Sequence, residues 1–232
     1  MGFVVNKDPV KVPFKVSMGS FEYKSTRHVG GRWPGGVVKV YVDPELDGDK
    51  VAVFWATAKR WCDFINNAAQ RIVIKFIEVD KWEKGTASLK LDYSQADIGY
   101  LPGRQAKTGV DYDNQLGSLP HELGHTMGLA HEQIRPDKQE WLKEELKRLN
   151  KTMSKSVQEN HNTQLGFAAG LVGHGEMDKY SIMMYPDVQT LLGVEDTNTS
   201  QGGEAITPAQ VEAKSWYPSQ GDIDTLAWLY SL

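Results

Sequence analysis

Cysteine is almost absent from this chain. Among 232 residues there is one, Cys62, so no intramolecular disulfide can form. Cys62 falls in a helical apolar pattern and is expected to be a small buried apolar residue. No apolar run approaches the roughly 18–20 residues that cross a bilayer, which excludes a helical membrane span. Neither sign of charge dominates. Lys and Arg total 26 against 30 Asp and Glu, a net charge of -4, so no basic footprint points to nucleic acid. The start, Met1-Gly2-Phe3-Val4-Val5-Asn6-Lys7-Asp8, lacks the charged opening and apolar run of a signal peptide. Two origins stay open: a cytosolic protein, or a chain beginning after a removed signal. No internal repeat or low-complexity segment occurs.

What is present is enough for a core. Hydrophobic residues make up 40% of a chain long enough for one large domain or two lobes sharing a cleft. Residues 1–31 alternate Val10, Val12, Phe14 and Val16 with lysines and turn glycine-rich, which reads as an extended arm. The turn Trp33-Pro34-Gly35-Gly36 leads into an alternating strand that sets Val38, Val40 and Val42 on one face. Residues 50–70 carry Val51, Phe54, Ala58, Trp61, Cys62 and Ile65 at helical spacing. Strands are predicted over 72–79 and 88–93, with an edge strand over 98–104 and an antiparallel return at 109–112. After Asp137, Leu142, Leu146, Leu149, Met153 and Val157 form one apolar helical stripe. Ser219 and Asp222 have capping-box spacing ahead of a last helix that buries Ile223, Leu226, Leu229 and Tyr230.

The densest chemistry lies in His121-Glu122-Leu123-Gly124-His125-Thr126-Met127-Gly128-Leu129-Ala130-His131. His121 and His125, four apart, project from one helix face and can reach one zinc ion at about 2.0–2.1 Å. Gly128 can end the helix in a left-handed conformation, so that His131 returns as a third nitrogen ligand. Three neutral imidazoles keep the ion's full charge and leave it an open position, where a water would have its pKa drawn down to about 7. Glu122, beside the first ligand, is placed to take that water's proton. This spacing of five identities should arise by chance on the order of once in 10^5 chains of this size. The other histidines, His28, His161 and His174, lie in polar or glycine-containing sequence and are expected at the surface.

The motif resembles that of the metzincin zinc peptidases, and its continuation Glu132-Gln133-Ile134-Arg135-Pro136-Asp137 resembles the astacin form H-E-Q-x-R-P-D. Ser181-Ile182-Met183-Met184-Tyr185 is similar to the family's Met-turn, with Met184 replacing the usual histidine. The likeness runs loosely from Trp33 to Tyr230. It implies that Met183 underlies the metal and that Tyr185 supplies a hydroxyl to the zinc. It implies that Gly99, Tyr100 and Leu101 line the cleft and pair with substrate backbone. Several astacins favour an acidic residue after the cleaved bond through a basic side chain before the last helix, and Lys214 stands beside that place. Family zymogens carry an F-x-G-D motif that is missing here. In mature relatives the N-terminus starts about ten residues before the W-P turn, which corresponds to Tyr23–Lys24 and would give Glu132 an ammonium partner.

These readings converge on an α+β fold of two lobes, with an upper lobe over 32–128 holding a twisted mixed sheet and helices, and a lower, less regular lobe over 129–232. The function implied is a zinc endopeptidase with one Zn2+ per chain, a peptide or protein substrate, no nucleic-acid or membrane partner, and a monomeric state. The family resemblance implies secretion. The competing reading is a zinc-bearing binding or structural module without turnover. Glu122 argues against it, because a structural site fills the fourth position with a protein ligand.

Overall fold

The computed structural model describes residues 3–5 (as backbone), 31–89, 96–101, 103–108, 119–166, 168, 171–194 and 218–232. Parallel and antiparallel pairing are both present, in separate sheets. In the larger, β2 (Val37–Val42) lies between β3 (Lys75–Glu78) and β4 (Ala87–Leu89), and β4 pairs with β5 (Ala106–Thr108), all parallel. In the smaller, β1 (Phe3–Val5) is the central strand, antiparallel to both β6 (Leu129–Ala130) and β7 (Leu171–Gly173). Together with the helices this is an α+β fold. No helix among the described residues is long and apolar enough to cross a membrane.

Helix α1 (Gly48–Ala68) starts where Asp47 accepts from the backbone N–H groups of Asp49 and Lys50, and it buries Val53, Phe54, Ala58, Trp61, Cys62 and Ile65. That face packs on α2 (Leu119–Met127) and on α6 (Gln220–Ser231), which follows the short α5 (Pro186–Leu191). Burial pushes the Cys62 thiol up to about 12, so it stays an inert apolar filler. The strand predicted from residue 72 begins at Lys75 instead. Asn66 Oδ1 accepts from the N–H groups of Val73 and Ile74, which removes both from the ladder, and Ile72 is 81% exposed.

Two other expectations are corrected. The stripe after Asp137 is not one helix but two, α3 (Gln139–Arg148) and α4 (Lys155–Leu165). Asn150 takes a left-handed φ of 53°, and Lys151 N–H closes on the Leu146 carbonyl at 2.9 Å. Ser154 then caps α4 by accepting from Val157 N–H. Asparagine tolerates that backbone and serine suits an N-cap, so local chemistry breaks a pattern that periodicity carries through. The strand expected over 98–104 is instead a bend at Gly99 between isolated bridge residues. Gly99 has a φ of 68°, and Tyr100 pairs with Gly31 through both of its backbone groups.

The capping box of α6 does more than start a helix. Asp222 accepts from Ser219 N–H, and its buried carboxylate also accepts from Ser181 Oγ at 2.6 Å and Ile182 N–H at 2.9 Å. A local cap thus anchors the turn that carries Met183. Asp222→Ala should cost on the order of 3 kcal/mol, because it leaves a hydroxyl and backbone donors without acceptors. Urea unfolding followed by tryptophan fluorescence measures this, and an unchanged midpoint would contradict the anchoring role.

Candidate metal centre

Helix α2 is nine residues long and buried throughout. A helix this short is marginal by itself and needs tertiary partners. They arrive at its C-terminal end, where the last carbonyls have no intrahelical donor. Trp33 Nε1 donates to Thr126 O at 2.7 Å, and the Tyr230 hydroxyl donates to Met127 O at 2.8 Å. His125 O accepts from Gly99 N–H and from Gly128 N–H. Gly128, with a φ of 113°, then turns the chain into β6, and His131 follows.

The three imidazoles come together. His121 Nε2 and His125 Nε2 each lie 3.1 Å from His131 Nε2. Each outer nitrogen faces an oxygen that can only accept. His121 Nδ1–H donates to Ile182 O at 2.8 Å, His125 Nδ1–H to Leu129 O at 2.7 Å, and His131 Nδ1–H to Gln164 Oε1 at 2.9 Å. With the protons outside, three Nε2 lone pairs converge with no hydrogen between them. That contact is repulsive unless a cation fills it. Two nitrogens held at 2.0–2.1 Å from one tetrahedral ion are about 3.3 Å apart, close to the separation seen. Among the described residues these histidines form the one group of three or more His, Cys, Asp or Glu side chains able to hold a metal. The donor set fits zinc.

Around this centre the motif residues have distinct jobs. Glu122 is buried, and its Oε2 accepts from Ala96 N–H at 2.8 Å. Met183 lies under the helix, where a Cβ at Gly124 would meet its Sδ at 2.5 Å and force the methionine to shift. Met184, where the family usually has histidine, joins the apolar cluster of Leu142, Leu146, Val188 and Leu192. The Tyr185 ring lies edge-on to His131 with centroids 4.4 Å apart, and its hydroxyl accepts from Gln164 Nε2 at 2.7 Å. Gln133 accepts from Tyr185 N–H at 3.2 Å.

Arg135 explains the rest of the run. Its side chain is buried, and it donates to Glu132 Oε1, to both Asp137 oxygens and to the carbonyls of Gly175 and Glu176. One guanidinium therefore fixes the loop after β7 beneath the third ligand. Glu132 Oε1 also accepts from Asp178 N–H, whereas its Oε2 is buried with no partner among the described residues. Burial pushes the Glu132 carboxyl up to about 8, against the pull of Arg135 and of that N–H.

Some sequence readings fall elsewhere. Gly99 donates its N–H to His125 O, Tyr100 exchanges both backbone groups with Gly31, and Leu101 is buried with its carbonyl accepting from Arg104 N–H. These bonds brace the back of α2. Lys214 and His28 lie outside the described residues. His161 is not a surface histidine: it is buried, its Nε2–H donates to Gln133 O at 3.0 Å, and burial holds it below the ordinary histidine range. His174 stacks on Trp228 at 4.5 Å. Gln164 and Ala96 escape a reading of the sequence, because neither stands at a fixed spacing from the histidine motif.

Several known proteins are similar to this chain. Flavastacin of Elizabethkingia meningoseptica is 36% identical over 92 residues, 40% of this chain and 19% of that protein, so the match spans about a fifth of the relative's length. High choriolytic enzyme 1, a hatching enzyme zinc-protease from the medaka fish Oryzias latipes, is similar in structure at 18% identity and a TM-score of 0.48, over 92% of this chain and 98% of that one. Myroilysin is similar at 17% identity and a TM-score of 0.46, over 87% and 96%. The family model for the astacin peptidases matches residues 25–230. With that match covering most of its length, and with its three-histidine centre intact, the chain belongs to the astacin family.

Proposed function

We propose that this protein is a zinc-dependent endopeptidase that hydrolyses internal bonds of peptides and proteins. The observation that carries the reading is the convergence of three Nε2 lone pairs with every proton held outside, beside a buried glutamate. His121, His125 and His131 would hold one zinc ion per chain. When bound, zinc supplies Lewis acidity toward the scissile carbonyl and lowers the pKa of water. Glu122 takes the proton of the attacking water as its oxygen bonds to the carbonyl carbon. It delivers that proton to the amine as the carbon–nitrogen bond breaks. Ala96 N–H holds the carboxylate in place for both transfers. The Tyr185 oxygen already accepts from Gln164, so the phenol's own proton is directed outward, to the oxyanion that develops on the substrate.

Family membership also supports secretion and action as a monomer on its substrates. Residues 1–31 are read as an extension from the catalytic domain over 32–232, removable near Tyr23–Lys24. By the family resemblance the new ammonium would become the partner of Glu132. The strand β1 would then be lost from between β6 and β7. An acidic preference after the cleaved bond, carried by Lys214, completes the reading.

Glu122→Gln should keep zinc while lowering kcat on the order of 10²–10⁴-fold, whereas His125→Ala should lose metal and activity together. Zinc analysis beside casein hydrolysis, with and without a chelator, separates these, and near-normal turnover in Glu122→Gln would refute the base. Tyr185→Phe should lower kcat on the order of 10²-fold with KM nearly unchanged and zinc retained. A rise in KM alone would assign Tyr185 to substrate binding instead. N-terminal sequencing of active enzyme should find a start near Tyr23, and fully active protein beginning at Met1 would overturn the removable extension.

A further inference from the structure

We propose that Gln164, on α4, is a positioning residue that sets the third zinc ligand and the oxyanion donor with the two ends of one amide. The inference rests on the reading of Tyr185 given above. Gln164 Oε1 accepts from His131 Nδ1–H at 2.9 Å, and Gln164 Nε2 donates to the Tyr185 hydroxyl at 2.7 Å. The amide cannot turn over without loss. Its Nε2 also donates to Asn160 Oδ1 at 3.0 Å, one helical turn back, and Gln133 Nε2 lies 3.5 Å from its Oε1. A flipped amide would set oxygen against oxygen at Asn160 and nitrogen against nitrogen at Gln133.

Each end does separate chemistry. At the oxygen end, a pure acceptor fixes the His131 proton on Nδ1 and leaves Nε2 as the ligand atom. A neighbour of this kind raises ligand basicity, and its loss commonly costs about 10–100-fold in metal affinity. At the nitrogen end, a donor occupies a lone pair of the phenol. The phenol proton then has no reason to turn inward, and it stays available to substrate. The other ligands are oriented by backbone carbonyls of Ile182 and Leu129. His131 faces a side-chain oxygen instead, and that side chain also touches the tyrosine. Gln164 is buried on the inner face of α4.

The two ends can be broken separately. Gln164→Glu keeps an acceptor for His131 but presents a second acceptor to Tyr185, which would draw the phenol proton inward. It should hold zinc at least as tightly as the parent in chelator competition, while kcat falls on the order of 10²-fold with KM little changed. Gln164→Met keeps the volume and removes both ends, so zinc affinity should also fall, on the order of 10–100-fold. In a Tyr185→Phe background, Gln164→Glu should lower kcat no further, because its effect runs through the missing hydroxyl. A purely structural Gln164 would give losses that add, and additivity overturns the proposal. So does unchanged zinc binding in a folded Gln164→Met protein. If that variant does not fold, the Gln164→Glu cycle decides alone. Full activity of Tyr185→Phe by itself would instead refute the role given to Tyr185, which is a separate failure.

Discussion

Three converging nitrogen lone pairs, with His131 Nε2 3.1 Å from each of the other two, are an unfavourable arrangement that the rest of the protein is built to enforce. Each imidazole would escape the repulsion by moving its proton inward, and each is prevented by an oxygen that only accepts. Those oxygens come from Ile182 in the Met-turn, Leu129 in β6 and Gln164 on α4. The fold must bring three distant pieces of chain to within hydrogen-bond reach of one point. The preorganisation that results favours a cation, and it explains why so many polar side chains are buried here.

The same logic governs the zinc helix. Its end is not closed by its own sequence beyond Gly128. Trp33 from the opening turn, Gly99 from the bend and Tyr230 from α6 each supply one donor. Trp61 on α1 donates to Pro120 O at the other end. The upper sheet and α1 therefore contribute rigidity more than chemistry. Below the helix, Arg135 and Asp222 hold the two loops that carry Glu132, Met183 and Tyr185. Residues far apart in sequence thus act on one nine-residue segment.

This division also explains what the sequence makes legible. The three histidines, Glu122 and Gly128 stand at fixed offsets on one helix and turn, so spacing alone identifies them. The α1 face, the alternation in β2 and the Ser219–Asp222 cap are local patterns and read directly. The α3–α4 break is hidden because Leu142 through Val157 keep helical spacing across it, while Asn150 and Ser154 decide the backbone. His161 resembles a surface residue because its neighbours are polar, and its burial arises from packing under Gln133. Gly99 and Tyr100 read as part of an extended edge strand, whereas Gly99 bends the chain and its N–H and both Tyr100 backbone groups go to α2 and Gly31. Gln164 has no local pattern at all, since both of its partners come from other parts of the chain.

The link between α6 and the metal centre bears on biosynthesis. The carbonyl that orients His121 belongs to Ile182, and the N–H of Ile182 is held by Asp222, forty residues later in the chain. A ribosome that has made the whole histidine motif has not yet made the residue that fixes its first ligand. The hydrogen bond that anchors Ile182 can therefore form only after α6 has emerged, and a chain cut short before Asp222 carries the motif without that anchor.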